Sequence, residues 1–411
     1  MKNGLDYFSS TCIIVNMEER KLYFKVWDEL SQEKSMVFMV GPRQAGKTTL
    51  AQIISKSFTN SLYFNWDIHD HRTKFYANSD FFEDVTRKDD SKPLIILDEI
   101  HKFKDWKNYL KGTYDKFHDR YLFLVSGSGR LDVYPLFRLL PFTIAELGGI
   151  NLDIEAFLKN PLGIQIVKRE ELKEKWNRLS ELSGFPKPYL VNKKASYRRW
   201  SNTYSNQLIR EDIRDLTAVK SVKEMEILYH LLPSKVGSPL SIPSLASDLR
   251  VTYNSIRNWL SVFEMFFLVF SVYPWTKKIS RAIQKERKVY LWDSPRIEDE
   301  SRRFENMVAA ELWRAVTQWN DLGYGTFSLH FIKNKEKQEV DFLLANGGKP
   351  FLLVEAKISD EQPSPALRKF QTALNIPAVQ LLMEHEGYKS ISNGGQNILI
   401  APAYQWLSQL P

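Results

Sequence analysis

Short apolar runs alternate with amphipathic stretches over the first third of the chain. The runs lie at about 36–40, 62–65, 94–97 and 121–125, and residues 18 to 30 have helical spacing that leads into the first run. Continuous apolar runs of this length are typical of strands buried on both faces. The alternation therefore predicts an α/β fold with a parallel sheet covered by helices.

The pattern changes twice further along. From about 150 to 222 it becomes helical and polar, and between Leu240 and Trp275 it has helix-turn-helix spacing. Thr252 would be the N-cap of the second helix, with Ile256, Trp259 and Leu260 facing inward. The outward face would then carry Tyr253, Asn254, Arg257 and Asn258. These side chains can contact phosphates or base edges, but such a module can equally serve for packing or dimerisation.

The segment after the first apolar run carries the clearest chemical signal. It reads Gly41-Pro42-Arg43-Gln44-Ala45-Gly46-Lys47-Thr48-Thr49. The glycines permit a tight turn whose backbone N–H groups face phosphates, and the following helix adds its positive N-terminal end. Lys47 would reach the β- and γ-phosphates, and Thr48 would ligate Mg²⁺. A glycine-rich turn without nucleotide is the alternative, but strand, loop, Lys-Thr pair and helix all coincide as an ATP/ADP site requires.

Two further strand ends complete this prediction. The apolar run at 93–97 ends in Asp98 and Glu99, where a P-loop ATPase places a Mg²⁺ ligand and an acid that activates water. Helix capping by the two acids is the alternative. The next run ends in Ser126-Gly-Ser128, and either serine could sense the γ-phosphate, although turn chemistry explains the triplet nearly as well.

These motifs resemble the prokaryotic AAA+ ATPases that carry a C-terminal domain of unknown function, in an archaeal and STAND-like branch. The matching segments include the phosphate loop, Asn65-Trp66-Asp67 with Arg72, Asp98 to Lys102 with Asp105-Trp106, Ser126 to Ser128, Leu139 to Leu147 and Ser183 to Pro186. The resemblance implies that Gly184, Phe185 and Pro186 lie beside the adenine. The segment after Arg130 is shorter than in the family, which leaves Arg138, and then Arg130, as candidates for an arginine finger between subunits of a homo-oligomer.

Composition limits the protein class. A chain of 411 residues exceeds one ordinary core, since domains average about 150 residues. The single cysteine, Cys12, excludes an internal disulfide and fits a cytoplasmic protein. No signal sequence is visible, and the most apolar stretch, 259–272, is too short for a bilayer, so no membrane partner is expected. The formal charge of +8 favours a polyanionic partner such as DNA but also suits plain solubility. A basic run contributes to it, consisting of Lys277, Lys278, Arg281, Lys285, Arg287 and Lys288, and such runs are usually solvated faces.

The last 120 residues contain a second acidic pattern. An apolar strand with Asp341 is followed by Gly347-Gly348 and by a strand with Glu355 and Lys357, which predicts a hairpin presenting the three side chains on one face. Two carboxylates can hold Mg²⁺, and a neighbouring lysine can polarise water. This pattern resembles the PD-(D/E)XK nuclease superfamily, with Val340 in place of its proline. The resemblance implies Glu305 as a further metal ligand and Gln380 as a lining residue; the alternative is a binding domain in which Glu355 and Lys357 form an ion pair.

Together these patterns predict an α/β protein of four parts. They are an AAA+ P-loop core at 1–150, a helical lid at 151–222, a winged helix-turn-helix at 223–285 and a restriction-endonuclease-like α/β domain at 286–411. The leading hypothesis is an ATPase that acts on DNA, with nucleotide state controlling the nuclease-like domain. The alternative is a nucleotide-dependent signalling or defence switch whose C-terminal domain is a non-catalytic binding module.

Overall fold

The computed structural model describes residues 20–128, 136–149, 153–163, 170–213, 221–276 and 287–411, except for the side chains of 211 and 212. Cys12, Arg130, Lys277, Lys278, Arg281 and Lys285 lie outside these residues. The chain divides into two compact units, Met1–Leu140 and Pro141–Pro411. The four predicted domains are a finer division, and they stay predictions.

The first unit is a parallel α/β layer structure. Its strands are β1 (Met36–Val40), β2 (Ser61–Asn65), β3 (Leu94–Asp98), β4 (Leu122–Gly127) and β5 (Leu136–Arg138). Its helices are α1 (Lys21–Glu33), α2 (Lys47–Lys56), α3 (His69–Ala77) and α4 (Trp106–Phe117), with 3-10 turns at Phe81–Asp84 and Ile100–Lys102. Every residue of β1 and β3 is buried, as their unbroken apolar sequences require.

The strand order of this sheet is β2-β3-β4-β1-β5, and all neighbouring strands are parallel. Because parallel strands share one carboxyl edge, the segments after β1, β3 and β4 meet there. Strand β4 lies between the strand that precedes the phosphate loop and the strand that ends in Asp98. The parallel-sheet prediction is confirmed, and each of the four predicted strands agrees within two residues.

The second unit begins with helices and ends with a mixed sheet. The helices before the sheet are α5 (Ile144–Gly148), α6 (Ile154–Lys159), α7 (Glu170–Leu182), α8 (Pro186–Val191), α9 (Lys194–Gln207), α10 (Val222–Leu231), α11 (Ile242–Asp248) and α12 (Tyr253–Met265). A π-helical turn at Leu208–Ile213 continues α9, and a 3-10 turn at Leu232–Lys235 continues α10.

The sheet has eight strands in the order β12-β13-β11-β10-β9-β8-β6-β7. They are β6 (Val269–Pro274), β7 (Lys288–Leu291), β8 (Phe327–Lys333), β9 (Glu339–Asn346), β10 (Lys349–Lys357), β11 (Ala378–Leu382), β12 (Lys389–Asn393) and β13 (Gln396–Pro402). The associated helices are α13 (Glu300–Asp321), α14 (Pro365–Leu374) and α15 (Ala403–Leu407), with a 3-10 turn at Ser294–Arg296. Strands β6 and β7 pair with each other across the predicted boundary at 285/286.

Two details determine the position of the acidic residues in this sheet. Gly347 and Gly348 have φ of 56° and 75°, the left-handed pair that a two-residue turn between β9 and β10 needs. The hairpin prediction is therefore confirmed. On α13, the Asn306 side chain accepts from the Leu291 N–H and donates to its carbonyl, both at 2.8 Å, so that the helix is tied to the edge strand β7.

The core of this sheet lies under α14, where Leu367 packs on apolar residues of β9 and β10. None of the helices in the described part of the chain combines the length and the apolar character needed to cross a bilayer.

Candidate functional site

The phosphate loop joins the carboxyl end of β1 to the first turn of α2. Gly46 (φ 94°) and Gln44 (φ 61°) have left-handed backbones, the second uncommon for a residue with a side chain. A Cβ atom at Gly41 would lie 2.0 Å from the Leu139 carbonyl oxygen, so this position accepts only glycine. Close packing thus fixes the loop backbone in a shape suited to phosphate. Of the other loop residues, Pro42 and Ala45 are buried, Arg43 and Thr49 half-buried and Thr48 exposed.

Lys47 folds back over this loop. Its Nζ donates to the carbonyl oxygens of Gly41 at 3.0 Å and Pro42 at 2.9 Å. Burial lowers the pKa of Lys47, and the negative charges of Glu99 and Asp98 oppose that shift. The ammonium group therefore lies among the loop carbonyls, where phosphate oxygens can replace them as its partners.

Asp98 ends β3 and is fully buried among hydrogen-bond donors. Its Oδ2 accepts from Thr48 Oγ1 at 2.7 Å and from the Tyr63 hydroxyl at 2.8 Å. The Asn65 amide reaches the same oxygen at 3.3 Å, and the Ser126 hydroxyl donates to Oδ1. These donors offset the cost of burying a carboxylate. Thr48 and Asp98 present adjacent hard oxygen ligands, so the residues fit Mg²⁺.

Glu99 follows in a left-handed conformation (φ 57°), and its N–H donates to the Ser126 carbonyl at 2.8 Å. Its Oε2 lies 3.3 Å from Lys102 Nζ, which also bonds Asp67 at 2.7 Å. Burial alone would lower the pKa of Lys102, but Glu99 and Asp67 outweigh it and leave that pKa raised. The carboxylate of the predicted base is thus held by a cation three residues along the chain.

Sequence reasoning gave no role to Tyr63, His101 or Lys102 in this site. Tyr63 and Asn65 share a face of β2 because strand side chains alternate, and they reach Asp98 on the neighbouring strand. Burial and the charge of Asp98 raise the pKa of Tyr63. His101 is buried beside Gly127, and burial lowers its pKa. The alternation of side chains along β2 could have indicated that Tyr63 lies on the same face as Asn65.

The two candidate sensor residues differ in their contacts. Ser126 is fully buried and bonded to Asp98, whereas Ser128 is half-buried at the end of β4. Arg138 ends β5 and is half-buried. The sensing role and the arginine finger stay predictions.

The predicted adenine residues, Gly184, Phe185 and Pro186, belong to the second unit and precede or begin α8. A Cβ atom at Gly184 would lie 2.3 Å from the Phe142 carbonyl oxygen, so this glycine allows two backbones to approach closely. The ring of Phe185 packs at 4.9 Å from that of Trp200. These contacts explain the residues structurally, and their adenine role stays a prediction.

Asp341 and Glu355 lie on the paired strands β9 and β10. The register pairs Val354 with Phe342, so the next step places Glu355 opposite Asp341. Like charges in that position repel each other. Asp341 Oδ2 accepts from the Ala356 N–H at 3.0 Å.

Glu355 is buried and has partners of its own. Lys357 Nζ lies 3.1 Å from Oε1, and the Ser364 hydroxyl lies 3.0 and 2.8 Å from the two carboxylate oxygens. Gln380 lies beside Glu355 on β11, but its amide donates to backbone carbonyls of the loop after β10. The Glu355–Lys357 ion pair is the arrangement expected for a binding domain.

Lys288, on β7, is fully buried among carboxylates. Its Nζ lies 2.7 Å from Glu339 Oε1, 3.1 Å from Glu305 Oε1 and 3.9 Å from Asp341 Oδ1. Tyr290 also donates to Glu305 Oε1, at 2.7 Å. Burial lowers the pKa of Lys288, but the carboxylates outweigh it and leave that pKa raised. Burial and the charge of Glu305 raise the pKa of Asp341 to about 7.

Two sequence interpretations meet this geometry. The prediction that Arg287 and Lys288 belong to a solvated or DNA-facing run is wrong, because both residues are buried. Arg287 forms an ion pair with Glu264 at 3.1 Å. Within the described residues, no group of three or more His, Cys, Asp or Glu side chains is arranged to hold a metal ion. The metal role of Glu305, Asp341 and Glu355 stays a prediction that this arrangement does not favour.

The helix-turn-helix segment forms α11 and α12. Thr252 accepts from the Ser255 N–H at 3.1 Å, which confirms the N-cap. Ile256, Trp259 and Leu260 are buried, as predicted. The exposed residues of α12 include Tyr253, Asn254, Arg257 and Asn258. The antiparallel pair β6–β7 follows these helices.

Comparison with protein families divides the chain into three stretches. Residues 33–140 match the model of an AAA domain, 173–295 match a domain of unknown function (DUF8612), and 301–405 match another domain of unknown function (DUF4143). Together with the loop and Asp98 geometry, the first match identifies a P-loop AAA-type ATPase domain. The nuclease-like character of the last stretch gains no support from its match.

Proteins whose names state no function are similar to this chain over most of its length. Proteins of Mycobacterium bovis and Mycobacterium tuberculosis are each 21% identical over 387 residues, covering 91% of this chain and 81% of theirs. A protein of Methanocaldococcus jannaschii is 20% identical over 405 residues, covering 85% and 81%.

Among solved structures, a Walker-type ATPase of Pyrococcus abyssi is 12% identical, with a TM-score of 0.39, covering 68% of this chain and 93% of its own. Drosophila ORC bound to DNA is 13% identical, with a TM-score of 0.26, covering 67% and 93%. These scores are too low to establish a shared overall fold.

Proposed function

We propose that the first unit binds ATP with Mg²⁺ and hydrolyses it at the carboxyl edge of its parallel sheet. The hydrogen bond between Thr48 Oγ1 and Asp98 Oδ2 carries this proposal, because it joins two motifs that lie 50 residues apart in the sequence. A hydroxyl and a carboxylate at this distance suit one hard cation.

Each residue of the site has a distinct task in this proposal. Lys47 and the backbone of 41–49 bind the phosphates, and Thr48 with Asp98 would hold Mg²⁺, which neutralises phosphate charge when bound. Glu99 accepts a proton from the attacking water. Since Lys102 holds Glu99 Oε2, that oxygen must exchange this partner for water before it can accept the proton.

The experiment compares Lys47→Ala with Glu99→Gln for ATP affinity and turnover. Lys47→Ala should weaken binding strongly, because it removes a phosphate contact. Glu99→Gln should retain binding and slow turnover by about 10²–10⁴-fold, because it removes only a base. Fluorescent-nucleotide titration and phosphate release measure the two effects.

Lys56→Ala is the matched control, since Lys56 is an exposed lysine on the same helix. It should behave as the native protein does. Equal loss of affinity in both site variants would contradict the assigned roles, and a native protein without affinity for ATP or ADP would remove the proposal altogether.

We further propose DNA as the partner of the α11–α12 segment. The supporting observation is the exposed polar face of α12, which carries Tyr253, Asn254 and Arg257. Arg257 is the phosphate-binding residue of this proposal.

For the C-terminal domain, the geometry favours a binding module over a Mg²⁺-dependent nuclease. Lys357 is paired with Glu355, and Glu305 and Asp341 lie beside Lys288. The protein would then be a nucleotide-dependent switch with a docking domain. Incubating plasmid with the protein, Mg²⁺ and either ATP or ADP distinguishes the two hypotheses. Plasmid nicking that is lost in Asp341→Ala would restore the nuclease hypothesis. Oligomerisation driven by ATP, without affinity for DNA, would favour the switch alone.

A further inference from the structure

The acidic cluster of Glu305, Glu339 and Asp341 contains its own cation. Lys288 is fully buried, and its Nζ lies within hydrogen-bond distance of two of these carboxylates. We propose that the Lys288 ammonium group is the resident cation of this cluster and that the native protein therefore binds no divalent metal ion there.

Coordination geometry is the first argument. Mg²⁺ and Mn²⁺ need several oxygens at about 2.0–2.3 Å in near-octahedral geometry. Here Glu305 Oε1 already accepts from Lys288 and Tyr290, and Glu339 Oε2 accepts from Lys333 at 2.9 Å. Oxygens of two of the three carboxylates are thus already engaged by side-chain donors.

Repulsion between like charges is the second argument. The carboxylates of Glu305, Glu339, Asp341 and Glu355 lie near the ammonium groups of Lys288, Lys333 and Lys357. A divalent ion beside Asp341 would lie close to Lys288 in a buried place, where like charges repel strongly. Metal binding would therefore require the Lys288 side chain to move out of the cluster, while its backbone is fixed by the β6–β7 pairing.

The role of Lys288 also explains the position of Glu339. No nuclease resemblance assigned this residue, yet it makes the shortest contact to the ammonium, at 2.7 Å. Two carboxylates share one buried lysine, which keeps the cluster intact because a buried charge without a partner is strongly destabilising. The cluster is thus complete without an external ligand.

Mn²⁺ titration of the full chain, followed by electron paramagnetic resonance without nucleotide, tests the proposal. The native protein and Asp341→Asn should bind the same number of ions, since Asp341 holds none. Lys288→Met keeps the side-chain length but removes the charge, and it should gain one Mn²⁺ that Lys288→Met/Asp341→Asn loses. Lys333→Met removes a half-exposed lysine from the same Glu339 and serves as the control; it should match the native protein.

Thermal unfolding gives a second readout. Mn²⁺ should raise the melting temperature of Lys288→Met by more than that of the native protein or Lys288→Arg, because only Lys288→Met gains an ion in this cluster and a ligand stabilises the state that binds it. If Lys288→Met does not fold, the comparison of Mn²⁺ binding between the native protein and Asp341→Asn tests the proposal. A native Mn²⁺ site lost in Asp341→Asn would overturn the proposal, and so would a folded Lys288→Met protein that gains no ion.

Discussion

Ser126→Ala tests the hydrogen bond between β4 and the carboxylate of Asp98. Both residues are fully buried, so no water can replace the lost hydroxyl without rearrangement. A hydrogen bond to a charged group contributes about 1.5–3 kcal/mol, and a buried acceptor that loses its donor bears most of that loss. We therefore expect Ser126→Ala to destabilise the first unit by about 2 kcal/mol.

For a unit of 140 residues, this loss corresponds to a fall of roughly 4–10 °C in the melting temperature. Differential scanning calorimetry of the full chain measures it. Ser128→Ala is the matched control, because Ser128 lies two residues away and is only half-buried. Its effect should stay within about 0.5 kcal/mol. Equal shifts in the two variants, or no shift in Ser126→Ala, would refute the reasoning.

The variants Ser126→Ala and Ser128→Ala also distinguish a structural role of each serine from a role in nucleotide sensing. If Ser128 contacts the γ-phosphate, Ser128→Ala should slow ATP turnover without changing the melting temperature. If Ser126 acts only by holding Asp98, its variant should lose stability and Mg²⁺-dependent ATP affinity together, since Asp98 is the proposed ion ligand.

Two further predictions concern the second unit. Burial raises the pKa of Glu311 to about 7, so this group contributes stability below about pH 4.5 that is lost as pH rises towards 7, up to about 3 kcal/mol. The free energy of unfolding of Glu311→Gln, measured in urea, should fall less between about pH 5 and 8 than that of the native protein. The free energy of unfolding of Glu298→Gln, a change at an exposed position, should follow that of the native protein over the same range. Arg257→Ala should weaken DNA binding and reduce its salt slope by about one unit, and Arg199→Ala, also exposed, should change neither; equal effects would assign α12 to packing.

The nucleotide site was predictable because its parts are local in sequence. The phosphate loop needs strand, glycine turn and helix in succession, and all three appear in the apolar pattern around Lys47. Asp98 and Glu99 follow an apolar run directly. What the sequence could not supply was the order of the strands, which places Tyr63 and Ser126 on opposite sides of Asp98.

The C-terminal site was predictable only in its backbone. The two glycines at 347–348 and the alternation around them predicted the hairpin and the shared face of its acids. Lys288 lies 53 residues before Asp341, and nothing in the intervening pattern indicates that β7 and β9 bring these side chains together. A charge run suggested exposure for Lys288 because lysines are seldom buried, and the partners that permit its burial are distant in sequence.

Lysines at both sites show why a motif of acids does not by itself define a metal site. Lys102 bridges Glu99 and Asp67 at the exposed edge of a sheet, where its side chain remains 32% exposed and can move aside. Lys288 is 1% exposed and lies between β7 and the acids of β9. Displacing Lys102 needs only a side-chain rotation. Displacing Lys288 leaves buried carboxylates unpaired or unpacks the edge strand β7. The same ion-pair chemistry is therefore compatible with a catalytic cycle in the first unit, whereas under the proposal for Lys288 it leaves no place for a metal ion in the second.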